Sequence, residues 1–174
     1  MGDVAGAGRA GGASPRVIAA ADLTGLVIRL RALDASWHLT DAPVVAEAMG
    51  WRTLVSRDRW VLLDTGFGPG SGKFHAEDGR VVRIEVRLSD FAADTPEGHA
   101  WVAGIFDEAV ATVAAAIGAP DDSRPDDGAR VRWAGPEVTL MLQRTPVSVL
   151  LWWITNARLA ADDRNIELED QGLL

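Results

Sequence analysis

The chain has 174 residues and a formal net charge of −8, from 25 acidic and 17 basic side chains. That length fits one domain, and a hydrophobic content of 48% with seven Trp and four Phe excludes a disordered chain. The absence of Cys excludes disulfides and thiolate metal sites; an acidic chain without a nucleic-acid motif repels phosphate backbones and would need a local basic patch to bind one, so no nucleic-acid partner is expected.

Residues 1–15, MGDVAGAGRAGGASP, are small, Gly/Ala-rich and lack an apolar centre. They read as a flexible N-terminal tail, not a secretory signal, ahead of a single domain over 16–174. No apolar run approaches the roughly 18 residues of a membrane span. A cytoplasmic chain without a membrane partner is the expectation.

From Val17 to Leu33, apolar residues at Val17, Ile18, Leu23, Leu26, Val27 and Leu30 make a helical stripe, weakened at Gly25. A short helix follows over 42–49, with Asp41 as cap, Pro43 in the first turn and Gly50 at the exit. WRTLVS (51–56) and RWVLLDT (59–65) read as a hairpin turning at Arg57-Asp58. GFGPGSGK reads as a flexible loop, and Asp78-Gly79 as a tight turn. VVRIEVRL alternates, with Val82, Ile84, Val86 and Leu88 on one face and Arg83, Glu85 and Arg87 on the other.

The clearest helix spans 96–117: Thr95 caps it, Pro96 and Glu97 open it, and Gly118 closes it. Its buried stripe is Val102, Ile105, Phe106, Ala109, Val113 and Ile117. The acidic loop PDDSRPDDGA leads to strands over 130–134, 137–144 and 147–155, and the last twenty residues to a short helix with a fraying end. This order predicts an α+β fold: an antiparallel sheet from two three-stranded meanders separated by a long helix, with the N-terminal helices packed on it.

Within VSVLLWWIT, Trp152 and Trp153 must point to opposite faces of a sheet. Either this is a central strand whose second face lies under the N-terminal helices, or Trp152 sits in an exposed apolar patch of the kind that marks a protein interface.

Most catalytic apparatus is missing. His38, His75 and His99 have no zinc spacing. The loop after LLDT fails as a phosphate loop, because Phe67 stands where the first glycine belongs and Phe74 where the magnesium-binding hydroxyl belongs. It also fails the dinucleotide pattern at Ser71. Arg124 and Pro125 interrupt the ligand spacing of a calcium loop. Asp90 and Asp94 lie near His99, but no Ser or Cys nucleophile accompanies them. No catalytic residue, metal or cofactor is assigned.

The segments AEAMGWRTL, VLLDTGFG, VRLSDFA, VRWAGPEVTLML and ITNARLAADD together resemble a family of small, uncharacterised actinobacterial proteins. Gly50-Trp51, Asp64-Thr65-Gly66 and Trp133 with Gly135 carry the resemblance, over most of the chain after the tail. Such proteins are similar in size, acidity and element order to immunity proteins and small secretion chaperones, an analogy at the level of fold. With that analogy the expectation is a cytoplasmic protein-binding module of the immunity or chaperone type that occludes a partner protein; charge and patterning alone pick Asp121, Asp122, Asp126, Asp127 and Trp152 as its candidate contacts and make the partner basic. The competing expectations are a small-ligand binder or enzyme using the Gly-rich loop 66–73 as a lid, and a homodimer closed by the Trp152 face.

Overall fold

The computed structural model describes residues 14–124 and 129–173. In chain order they form α1 (Ala20–Arg31), a 3-10 turn (Leu39–Asp41), α2 (Ala42–Met49), β1 (Arg52–Ser56), β2 (Trp60–Asp64), β3 (Pro69–Glu77) and β4 (Arg80–Arg87). Then come α3 (Pro96–Ile117), β5 (Asp122–Arg124), β6 (Arg130–Ala134), β7 (Val138–Arg144), β8 (Val149–Thr155) and α4 (Asn156–Asp170). The eight strands make one sheet in the order β1-β2-β3-β4-β8-β7-β6-β5, antiparallel throughout. The class is α+β. Two helices precede the first four-stranded meander and one precedes the second, and the halves meet where β4 pairs with β8, so the strand order is palindromic.

Each meander therefore has one strand more than the expected three, and both additions come from segments that read as loops. Only Thr65–Gly68 turns the chain; Pro69–Glu77 is β3. The glycines of GPGSGK serve close approach as well as turning: a Cβ at Gly72 would lie 2.5 Å from Thr65 Cγ2 and 3.2 Å from Leu63 Cβ. The turn is fixed by hydrogen bonds. The Asp64 carboxylate accepts from the Gly66 and Gly68 amides, and Ser71 Oγ accepts from the Thr65 amide. At the other end, Asp122–Arg124 of the acidic loop pairs with β6 as a short edge strand without apolar alternation.

Caps and turns follow local chemistry. Thr95 Oγ1 accepts from Gly98 N at 3.1 Å to start α3, and Gly50, at φ 74°, ends α2. Asp41 was expected to cap α2 but makes no capping hydrogen bond, because it closes the 3-10 turn. Asp78 and Gly79 both take positive φ and join β3 to β4 in the tight turn that their sequence predicts. A register shift then leaves Val82 without a cross-strand partner, and Val81, not Val82, is buried. α1 begins three residues later than its stripe: residues 16–19 form a strap in which Val17 bridges Ser89 and Ile18 N donates to Leu88 O.

The core lies between one sheet face and α1, α2 and α3. Leu23, Leu26, Val27 and Leu30 of α1, with Val102, Ile105, Phe106 and Val113 of α3, meet Phe74, Ile84, Val86, Leu140, Leu142, Leu151 and Trp153. Trp133 Nε1 donates to Gly118 O at 2.9 Å and ties β6 to the end of α3. Among the described residues α3 is the one helix long and apolar enough, by length and composition, to cross a membrane, a segment that the sequence reading passed over. Its apolar stripe packs into this core.

The tryptophan pair is resolved by this layering. β8 is central, and Trp153 is fully buried between Ile84 and Leu140 on the helix-covered face. Trp152 lies on the second face between Glu85 and Met141. The N-terminal helices do not cover it. The C-terminal helix α4, longer than the expected short helix, lies over part of that second face.

Candidate functional site

Period-2 alternation in β2, β3, β4 and β8 places two cross-strand rows on the second face. One row runs Leu62, Lys73, Glu85, Trp152, Met141, Arg132 and Asp122; the other runs Trp60, His75, Arg83, Ile154 and Thr139. α4 contacts β7 and β8. There, Arg132 donates to both carboxylate oxygens of Asp163 at 2.9 and 2.8 Å. Arg158 pins the start of the helix to Glu77 at 2.6 Å and pairs with Asp162. A cleft of about 170 Å³ remains between α4 and the sheet, with Arg83, Arg132, Met141 and Trp152 in its walls.

Beyond α4 the face is open. Trp60, Leu62, Lys73, His75, Arg83, Glu85 and Trp152 are each half-buried by one another. Cations lie over both rings: Lys73 Nζ is 5.1 Å and the Arg57 guanidinium 5.8 Å from the Trp60 centroid, and the Arg83 guanidinium is 5.1 Å from that of Trp152. Trp152 Nε1 donates to Gln143 Oε1 at 3.1 Å, which fixes the ring. Arg83 approaches His75 Nε2 at 3.4 Å. Among the described residues neither Lys73 nor Arg83 forms an ion pair, and the buried Nε atoms of Arg83 and Arg132 have no acceptor.

The electrostatics agree with this geometry. Burial, reinforced by Arg83 and Lys73, pushes His75 down to about 4, so its ring is neutral at pH 7. Burial raises Glu85, the one carboxylate in the uncovered patch, against the opposing pull of Arg83 and Lys73. A chain of net charge −8 thus carries a locally cationic, tryptophan-bearing surface.

The residues singled out from sequence fall in different places. Asp121 accepts from the Ala134 amide at 2.7 Å, so it holds the edge of the sheet. Asp122 pairs with Arg124 at 3.2 Å. Asp126 and Asp127 lie outside the described residues. Trp152 does lie on the open face, but Asp122 is three strand spacings away in the same row, about 14 Å, with Arg132 and Met141 between them. Asp121 and Asp122 therefore do not form one patch with Trp152.

Sequence reasoning missed Trp60, Lys73, His75, Arg83 and Glu85 as a group. The alternation of β4 placed Arg83 and Glu85 together on one face, but reading β3 as a loop removed the strand that brings Lys73 and His75 beside them. Elsewhere, His99 Nε2 and Asp94 Oδ1 form an exposed pair at 2.6 Å, while Asp90 is engaged by Arg16. Among the described residues no cluster of three His, Asp or Glu could hold a metal ion.

A family model described as a family of unknown function (DUF6301) matches residues 21–155, and the chain belongs to that family. No curated protein and no solved structure matches the chain.

Proposed function

We propose that this DUF6301 protein is a cytoplasmic protein-binding module, of the immunity or chaperone type and actinobacterial in origin, that occludes a segment of another protein against the uncovered half of its sheet. One observation carries the reading: two half-buried tryptophans, Trp60 and Trp152, are each capped by a cation with no carboxylate partner among the described residues. Tryptophan and arginine dominate binding hot spots, because a large ring and a planar guanidinium desolvate well around a partner. The cations beside them outnumber Glu85, the one carboxylate of the patch, and so favour a partner segment with acidic side chains next to apolar ones. The acidic remainder of the surface repels other acidic proteins and confines such a segment to this face.

This reading reverses the charge of the partner expected from the acidic loop, and the two routes separate by experiment. The protein and two charge variants are immobilised and challenged with lysate of the producing cell. Lys73→Glu/Arg83→Glu loses the captured protein if the sheet face binds, whereas Asp126→Asn/Asp127→Asn retains it. The opposite pattern places a basic partner on the acidic loop and overturns the proposal. Capture of the chain's own second copy, confirmed by sedimentation mass, replaces occlusion with self-association.

A further inference from the structure

A cleft of about 550 Å³ lies on the other side of the molecule, between the strap 16–19, α1, the end of α2 and the Thr65–Gly68 turn. That is the size of a site for a small organic molecule. Its walls combine apolar side chains, among them Ile18, Leu26, Met49, Trp51 and Phe67, with the cations Arg16, Arg29 and Arg87 against a single carboxylate, Asp22.

The three arginines play different parts. Arg16 latches the strap to the rest of the wall: it pairs with Asp90 at 3.1 Å and donates to Gly66 O at 3.2 Å. Arg87 is only 8% exposed, yet it donates to carbonyls alone, Ser89 O at 2.6 Å and Phe67 O at 2.8 Å, and stacks 4.0 Å from the Phe91 centroid. No carboxylate within ion-pairing distance neutralises it among the described residues. Asp90 and Asp64 act on it only from beyond that distance; a buried guanidinium without a directly paired carboxylate is costly, and an anion brought into the adjoining cleft relieves that cost. The exposed Arg29 side chain makes no ion pair or hydrogen bond among the described residues and is free to meet a ligand.

We infer that this cleft binds a small organic carboxylate with an apolar body, its charge met by Arg29 and the field of Arg87 and its body by Ile18, Leu26, Met49, Trp51 and Phe67. The apolar wall selects against a bare inorganic anion, and the cations select against a neutral molecule of the same shape. The Thr65–Gly68 turn is a fixed wall of this site and not a moving lid, since the bonds from Asp64, Ser71, Arg16 and Arg87 hold it.

Titration calorimetry on the full chain tests the site with three probes: octanoate, octanol and inorganic phosphate. Octanoate is expected to saturate one site and bind at least about tenfold more tightly than octanol, the ratio that one charge-assisted contact provides. Phosphate is expected to show no saturable heat. Arg29→Gln, at an exposed position that leaves the fold intact, is expected to weaken octanoate about five- to tenfold and leave octanol unchanged. Arg87→Met is expected to weaken octanoate as well, provided its thermal unfolding remains cooperative. Equal binding of octanoate and octanol, no octanoate binding at millimolar concentration, phosphate binding as tight as octanoate, or an unchanged octanoate affinity in Arg29→Gln overturns the assignment.

Discussion

At the scale of single residues, two adjacent tryptophans do different work because sheet geometry separates them. Trp153 is fully buried in the core, so Trp153→Ala is expected to cost about 3–5 kcal/mol of unfolding free energy in urea. Trp152, half-buried under Arg83, is expected to cost less than about 2 kcal/mol on the same substitution. Two glycines of α3 make a second contrasting pair. A Cβ at Gly98 would sit 1.8 Å from the Ala93 carbonyl oxygen, whereas one at Gly104 meets nothing within 4 Å. Gly104→Ala is therefore expected to stabilise by about 0.5–1 kcal/mol, and Gly98→Ala to destabilise, against the helix propensity of alanine. His75 supplies a pH signature. Its folded-state value near 4 lies below the ordinary 6.5, so unfolding takes up a proton between those values and stability falls as pH drops through that window. The stability of wild type relative to His75→Gln should be flat above pH 7 and decline towards pH 4.5, with Glu85 common to both proteins.

At the scale of elements, periodicity made most of the fold legible and local chemistry set its ends. The bounds of α2 and α3 follow from Gly50, Thr95 and Gly118, and β2, β4, β7 and β8 follow from their apolar faces. The failures were physical in kind. β3 carries glycines for close approach to Leu63 and Thr65, so composition spoke for a loop while cross-strand pairing made a strand. α4 has no fully buried residue, so no apolar stripe marked it; ion pairs to Arg132 and Glu77 hold it instead. The open face was invisible because it is assembled from four strands, one of them β3, and partly covered by α4. A helix held this way opens more readily than the core. Hydrogen exchange should show α4 amides exchanging by local opening well before those of β8, and Asp163→Asn should speed exchange in α4 while leaving β8 unchanged. Equal protection of α4 and β8 would place the helix in the cooperative core.

At the scale of the whole molecule, the sheet divides the labour. One face is closed by three helices and carries the stability, and the cleft against the strap opens at its margin. The other face is half closed by an acid-rich helix and leaves cations and tryptophans uncovered, in a chain whose total charge is −8. The palindromic strand order puts β4 and β8, which carry Arg83, Glu85 and Trp152, at the centre of the sheet, where a docking surface has rigid neighbours on both sides. The central claim is that this face receives the partner. Its most direct test is oxidative footprinting of tryptophans by mass spectrometry, with and without the captured partner. Protection of Trp60 and Trp152, with Trp51 and Trp101 on the helix side unchanged, is the predicted result. Unchanged oxidation of Trp60 and Trp152 in the complex contradicts it.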